Sequence, residues 1–163
     1  MQPDDEIWMR RAIDLARQGD VDPGSNPIGC VIVRDGQVIG EGHNEVARRF
    51  DSTAHAEIVA IRDAGQRLSC SEFRGATLYS TLQPCGMCSM AVIWSKISRV
   101  VYGAGRGDVH EMYFEARHLD TMDYIGDAYR DDLSIEGGVL ARDCAGFYEA
   151  RDADVPKGEQ VNR

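Results

Sequence analysis

The spacing of apolar residues predicts a helix and then a β-hairpin in the first quarter of the chain. Between residues 5 and 18, apolar side chains recur at roughly helical intervals, and Gly19 follows as a natural stop. Residues 28–33 form a short apolar run typical of a strand. Asp35-Gly36 then provides a hairpin signal, so a partner strand is expected over Gln37–His43.

The chain then alternates between helical and strand patterns. Residues 54–65 and 84–96 have the composition of helices, whereas residues 75–80 and 98–102 have the composition of strands. The intervening residues 44–53 are polar and predict an irregular loop. A hairpin followed by such crossovers indicates a mixed sheet with helices covering its faces.

The pattern weakens beyond the fourth predicted strand. Residues 108–117 are compatible with a short helix, residues 135–140 with a late fifth strand, and residues 141–150 with a closing helix. The last residues are polar and are expected to fray unless they dock on a neighbour. We therefore predict an α/β fold with a mixed five-stranded sheet, a single domain over residues 1–151, and a polar tail over residues 152–163.

The charge balance of the chain is acidic. The 163 residues carry a formal net charge of −9, which disfavours a polyanionic partner unless a local basic patch compensates. A nucleic acid partner is therefore not expected. The N-terminus lacks the apolar stretch of a signal peptide, and no segment is long enough to cross a bilayer. These features predict a cytoplasmic protein without membrane contact.

The cysteines indicate metal binding and not a disulfide framework. Five cysteines is an odd number, and no secretory signal accompanies them. Cys85 and Cys88 lie on one face of a helix if that helix begins near Pro84. Together with His55 they form a Cys2His ligand set for zinc, which leaves the fourth tetrahedral position open to water. The pattern is that of a catalytic zinc site.

An acidic residue lies two positions after the histidine. Glu57 has no obvious ion-pair partner in the sequence, so it is predicted to carry protons beside a metal-bound water. The alternative is a structural zinc site in a binding protein, closed by a fourth ligand from Cys30, Cys70 or Cys144. That arrangement would leave no position for water.

These residues together form the signature of a known enzyme family. His55-Ala56-Glu57 and Pro84-Cys85-Gly86-Met87-Cys88 match the H-x-E and P-C-x-x-C motifs of zinc nucleobase deaminases. From about Asn26 to Gly103 the chain resembles the cytidine deaminase-like superfamily, most closely the branch of guanine deaminase, yeast-type cytosine deaminase and tRNA adenosine deaminase. The resemblance implies a three-layer α/β/α sandwich, one Zn²⁺ and a homodimer.

The resemblance also implies substrate contacts. Asn44 matches the asparagine with which the family contacts a heterocyclic ring, although an asparagine there also caps turns. Ala56 lies between His55 and Glu57 and is also predicted to contact the substrate. Trp94 is either a stacking platform or, as is more common, a core residue. Glu111 and Glu115 fall in the segment that borders the pocket in the family, or else form a solvated acidic face.

The expected reaction is hydrolytic deamination with release of ammonia. The acidic charge favours a small heterocyclic amine, a free nucleobase that is guanine-like first and cytosine-like second. Deamination of the wobble adenosine of tRNA is the alternative, because the same motifs serve that reaction. An enzyme of that kind must bind an anticodon stem through a basic surface. The acidic composition of this chain does not indicate such a surface.

Overall fold

The computed structural model of the chain describes residues 2–21, 25–109 and 131–149. In chain order the elements are α1 (Asp5–Gly19), β1 (Gly29–Arg34), β2 (Gln37–His43), α2 (Val46–Arg49), α3 (Ala56–Leu68), β3 (Thr77–Leu82), α4 (Gly86–Trp94), β4 (Arg99–Ala104), β5 (Ser134–Glu136) and α5 (Ala141–Glu149). Within the described residues the predicted order of helices and strands is confirmed, and α2 is an addition to it. The predicted short helix over residues 108–117 falls almost wholly outside the described residues.

The strands form one mixed sheet of five strands in the order β2-β1-β3-β4-β5. Strand β1 is antiparallel to β2 and β3, whereas β3, β4 and β5 run parallel. The hairpin between β1 and β2 turns at Asp35 and Gly36, both with positive φ, 53° and 70°. Two such residues in succession make a type I′ turn, which matches the twist of the paired strands.

Glycines at close approaches show which helices cover which face. A Cβ added to Gly29 in β1 would lie 2.0 Å from the carbonyl oxygen of Ala12 in α1. A Cβ added to Gly42 in β2 would lie 2.6 Å from Cγ1 of Val59 in α3. Because Gly42 pairs with Cys30, the neighbour of Gly29, these two contacts are on opposite faces. Helices α1 and α3 therefore sandwich the sheet.

The remaining long helices complete the two layers. On the α1 side, Tyr148 of α5 donates its hydroxyl hydrogen bond to the carbonyl of Pro27 at 3.3 Å, and Arg10 of α1 lies 3.9 Å from Asp143 of α5. Helix α4 contacts α3 on the other side. The three-layer α/β/α sandwich is thus confirmed.

A buried ion pair fastens α1 to the middle of the sheet. The guanidinium of Arg99 in β4 donates to both carboxylate oxygens of Asp5, at 2.6 and 2.8 Å, and the hydroxyl of Tyr79 donates to Asp5 at 3.0 Å. Burial alone would raise the pKa of Asp5. Hydrogen bonds from Arg99, from the backbone N–H of Gln2 and from Tyr79 outweigh it and hold that pKa below its ordinary value. Asp5 is therefore a carboxylate in the folded protein.

Several predicted boundaries differ from the structure by a few residues, and three of the differences change an element. Helix α4 does not begin at Pro84: Cys85 is its N-cap, with extended backbone, and Gly86 is its first helical residue. Residues 44–53 are not wholly irregular, because they contain α2. The late strand is only Ser134–Glu136, since residues 137–140 turn into α5. The predicted tail, residues 152–163, lies outside the described residues, so the domain boundary stays a prediction.

Within the described ranges, no helix combines the length and the apolar character that crossing a membrane would require.

Candidate metal centre

Three predicted ligands meet at one point on the α3 and α4 side of the sheet. Nδ1 of His55 lies 3.7 Å from the sulfur of Cys85 and 3.6 Å from the sulfur of Cys88. The three ligand atoms all lie within 4.8 Å of one another. In the described part of the chain this is the only group of three or more potential ligands that meets this criterion.

Two helix N-termini create the convergence. His55 is the N-cap of α3 and Cys85 the N-cap of α4, each with extended backbone before its helix begins. Cys88 lies in the first turn of α4. The unpaired N–H groups and the positive end of the helix dipole at such a position favour thiolate. The prediction that both ligand segments lie at helix starts is confirmed.

The protonation of the cysteine pair fits a metal-binding site. A hydrogen bond with Cys88 and another with His55 lower the pKa of Cys85 to about 4, so its sulfur is a thiolate. The same bond with Cys85, together with burial, raises the pKa of Cys88. Zinc binds both cysteines as thiolates, so its binding would release the proton of Cys88. Two sulfurs and one imidazole nitrogen at this separation then form a donor set that zinc prefers, with one tetrahedral position left over.

The other cysteines do not join this group among the described residues. Cys144 packs against Gly103 on the α1 side of the sheet, and Cys70 is exposed, with its thiol 3.6 Å from the carbonyl of Glu72. Cys30 is buried in β1, where burial and the nearby charge of Glu57 raise the pKa of its thiol. Nothing in the described part of the chain closes the site with a fourth ligand.

Glu57 lies beside the ligand group and is held from behind. It is buried in the first turn of α3. Ser80 of β3 donates its hydroxyl hydrogen bond to Oε1 at 3.3 Å, and Oε2 lies 3.5 Å from the sulfur of Cys88. Burial, followed by the charge of Cys85, raises the pKa of Glu57. A carboxyl group with one fixed oxygen and a raised pKa suits proton transfer near neutral pH.

Ser80 is a site residue that sequence reasoning missed. Its only sequence signal is a hydroxyl in the middle of the buried strand β3. A buried hydroxyl needs a hydrogen-bond partner, but the sequence does not show that the partner is Glu57, on a helix 23 residues earlier.

Asn44 follows β2 and is buried. Its Oδ1 accepts a hydrogen bond from the backbone N–H of Val46 at 3.2 Å, which is the turn-capping role considered above. Its Nδ2 has no acceptor within the described part of the chain and remains available for a ligand. The substrate contact itself stays a prediction.

The other predicted substrate contacts lie in different surroundings. Ala56 belongs to the hydrophobic core, which leaves only its backbone N–H for a ligand. The interpretation of Trp94 as a core residue is wrong, because its side chain is 72% exposed. Trp94 ends α4, nine residues beyond Cys85, or about 14 Å at the helical rise. Glu111 and Glu115 lie outside the described residues.

Comparison with known proteins places this site in a family. The model of the cytidine and deoxycytidylate deaminase zinc-binding region matches residues 2–104. The tRNA-specific adenosine deaminase of Buchnera aphidicola subsp. Schizaphis graminum is 36% identical over 141 residues, covering 86% of this chain and 89% of the relative. The guanine deaminase of Bacillus subtilis is 40% identical over 111 residues, covering 68% of this chain and 70% of the relative.

A solved structure of similar fold agrees with these sequence matches. It comes from studies of A-to-I editing by tRNA:A34 deaminases at the wobble position of transfer RNA, and it superposes with a TM-score of 0.73 at 30% identity, covering 86% of this chain and 98% of that chain. The free-nucleobase prediction is contradicted, because relatives matching most of the chain are named for tRNA. The matched region contains the whole ligand group and Glu57. The chain therefore belongs to the zinc-dependent deaminases defined by the cytidine and deoxycytidylate deaminase zinc-binding region.

Proposed function

We propose that this protein deaminates adenosine to inosine at the wobble position of tRNA. The observation that carries the proposal is the extent of the similarity. The tRNA-specific relative matches 86% of the chain, whereas the guanine deaminase matches 68%. The net charge of −9 is a sum over the whole chain, while binding of a polyanion depends on the local arrangement of charges around the site.

His55, Cys85 and Cys88 are the proposed zinc ligands, with Nδ1 as the ligating atom of the histidine. The support is the geometry of their ligand atoms, which lie within 4.8 Å of one another. When bound, zinc lowers the pKa of a coordinated water and so supplies a nucleophile near neutral pH.

Glu57 is the proposed proton carrier. Its carboxylate takes one proton from the attacking water as the water oxygen bonds to C6 of adenine, and passes that proton to ring N1. It then transfers the remaining hydroxyl proton to the exocyclic amine. The C6–N6 bond breaks, ammonia leaves, and a carbonyl remains at C6. Ser80 fixes Oε1, so Oε2 is the oxygen that exchanges protons.

Asn44 is the proposed contact to the edge of the ring. Its Oδ1 is occupied by Val46, which fixes the orientation of the amide and leaves Nδ2 as a donor to a ring nitrogen that accepts. A buried amide held in this way positions one base without requiring the carboxylates predicted beyond residue 110.

A homodimer through α4 is part of the proposal. The helix contains no charged residue, and a helix that is apolar all round is normally covered on all sides. Its inner face is buried in the chain, but Met90 and Trp94, one turn apart, are 39% and 72% exposed. A second copy of the chain would cover this apolar face beside the site.

The decisive experiment compares RNA and free bases as substrates of the purified zinc-loaded protein. An anticodon stem–loop with adenosine at the wobble position is incubated beside the same stem–loop carrying guanosine there, and beside free adenine, guanine and cytosine. Inosine measured by nucleoside mass spectrometry should appear only in the first RNA. Ammonia release from a free base with no inosine in RNA would refute the proposal.

A further inference from the structure

The segment between Asn44 and His55 forms a closed loop beside the metal centre. The backbone N–H of Glu45 donates to the carbonyl of Ala54 at 2.9 Å. This bond joins the two ends of the loop, so the proposed substrate contact and the proposed metal ligand are brought together at its base. A side chain at the tip of the loop is therefore held at a limited distance from the metal centre.

The tip of this loop presents an aromatic ring to solvent. Phe50 is 98% exposed, the highest value among the large apolar side chains of the described residues. It is the C-cap of α2, and its φ of 52° and ψ of 38° place it in the left-handed region. Glycine or asparagine is usual there, and phenylalanine is not. Neither packing nor backbone preference accounts for phenylalanine at this position.

Hydrogen bonds hold the tip of the loop in place. Asp51 accepts from the backbone N–H and the hydroxyl of Thr53 at 2.8 and 2.7 Å, and its own N–H donates to the carbonyl of Val46 at 3.2 Å. Arg62 of α3 lies 3.4 Å from the Asp51 carboxylate. The ring of Phe50 is therefore carried on a fixed backbone, which lowers the entropy cost of a contact made by it.

We propose that Phe50 stacks on a base that flanks the target adenosine, an inference that rests on the proposed function. Phe50 lies five positions before the metal ligand His55, so the Cα atoms of the two residues are at most about 18 Å apart. Proteins that read unpaired RNA stack its bases on exposed aromatic rings. Arg48 and Arg49 directly precede Phe50 in the sequence, and their guanidinium groups contact Glu45 in the same loop.

The test measures steady-state kinetics and binding with the wobble-adenosine stem–loop. Phe50→Ala should raise KM and the Kd from fluorescence anisotropy by about 5- to 160-fold, the range found for loss of one stacked base. Zinc content and kcat should stay near those of the wild type, and Phe50→Tyr should restore binding. Ile7→Ala is the matched control, because Ile7 is 60% exposed on α1, on the other side of the sheet.

RNAs that lack a single base identify the contact. Each base next to the target adenosine is removed in turn to leave an abasic nucleotide. If Phe50 stacks on one of them, the wild type loses with that RNA the same factor that Phe50→Ala loses with intact RNA, and the variant loses no more. Additive losses at both flanks would overturn the inference.

The outcomes separate the two proposals. If the wild type deaminates the RNA and Phe50→Ala has an unchanged KM, only the stacking inference fails. If the wild type neither binds nor deaminates the RNA, both fail. If Phe50→Ala changes the sedimentation coefficient of the protein, the ring contacts a second copy of the chain and the inference is overturned.

Discussion

Ser80 in the centre of the sheet donates a hydrogen bond to Oε1 of Glu57 across 3.3 Å. This contact connects β3 to the first turn of α3 and fixes the carboxyl group beside the ligand cluster. Ser80 does not reach the ligand group itself, so its proposed role is to position the proton carrier.

Ser80→Ala should therefore slow the reaction without removing zinc. The loss leaves a buried carboxylate oxygen without its donor, at a cost of about 1–3 kcal/mol. If that cost falls wholly on the transition state, the rate decreases about 5- to 160-fold. The pH profile of kcat should move upward, since the lost bond stabilised the charged form of Glu57. Ser95→Ala is the control, because Ser95 is also buried but lies at the far end of α4. An unshifted pH profile would contradict a positioning role.

Cys88→Ala should abolish zinc binding, whereas Cys70→Ala should leave it intact. Wild-type protein is expected to hold about one zinc per chain, because three donors with an open position form a complete catalytic site. Elemental analysis of the purified variants provides the measurement. Cys70 is the matched control as an exposed cysteine outside the ligand group. Loss of zinc from both variants would indicate a different ligand set.

Glu57→Gln should retain zinc and lose at least about a hundredfold in kcat, because general acid–base catalysis contributes on the order of 10²- to 10⁴-fold. The amide keeps the size of the side chain but cannot exchange protons. Zinc content and thermal stability are measured on the same sample to separate a catalytic loss from a structural one. Normal turnover with bound zinc would assign proton transfer to another group.

Asp5→Asn should destabilise the protein at pH 7 and remove part of its sensitivity to acid. The folded-state pKa of Asp5 lies below its ordinary value of 3.8, so its contribution to stability is complete above that value and is lost as pH falls through the folded-state pKa. Arg99 then loses its buried carboxylate partner but keeps its ion pair with Glu136, so the expected cost is that of lost hydrogen bonds to a charged group, about 1.5–3 kcal/mol. Urea unfolding at pH 3 and pH 7 measures both effects.

Asp14→Asn is the matched control for this substitution. Asp14 forms an ion pair with Arg17 on the surface of the same helix, where such pairs contribute about 0–1 kcal/mol. A loss of similar size in the two variants would show that the buried pair has no special role.

Trp94→Asp should convert the protein from dimer to monomer in sedimentation velocity experiments. A charge on the exposed apolar side of α4 would have to be desolvated at the proposed interface. Ile7→Asp, on the exposed surface of α1, should leave the sedimentation coefficient unchanged. Equal dissociation in both variants, or in neither, would rule out α4 as the interface.

Local chemistry explains which parts of the fold could be predicted. Asp35-Gly36 predicted the hairpin because both residues tolerate the positive φ of its turn. The motifs predicted the ligand group because Cys85 and Cys88 are three positions apart, which brings both sulfurs to one side of the start of α4. Each of these features depends on a few neighbouring residues.

Features that depend on distant contacts could not be predicted. Apolar periodicity does not show which face of α4 meets the sheet, so it could not decide whether Trp94 is a stacking platform or a core residue, and the side chain is exposed. The partnership of Ser80 and Glu57 joins two elements that only the fold brings together. The free-nucleobase prediction was wrong for a related reason, because net charge is summed over the whole chain and does not show where the charged residues lie.

The glycines of β2 allow helix α3 to lie close against this strand. Gly42 lies so close to α3 that a single added methyl group would collide with Val59 at 2.6 Å, and Gly40 would meet the carbonyl of Ala60 at 2.4 Å. The thickness of the gap between strand and helix therefore sets the height of His55 and Glu57 above the sheet, and of Glu57 above Ser80. A methyl group at either glycine would move His55 and Glu57 away from the sheet together. A residue with no reactive atom of its own therefore affects the geometry of the site.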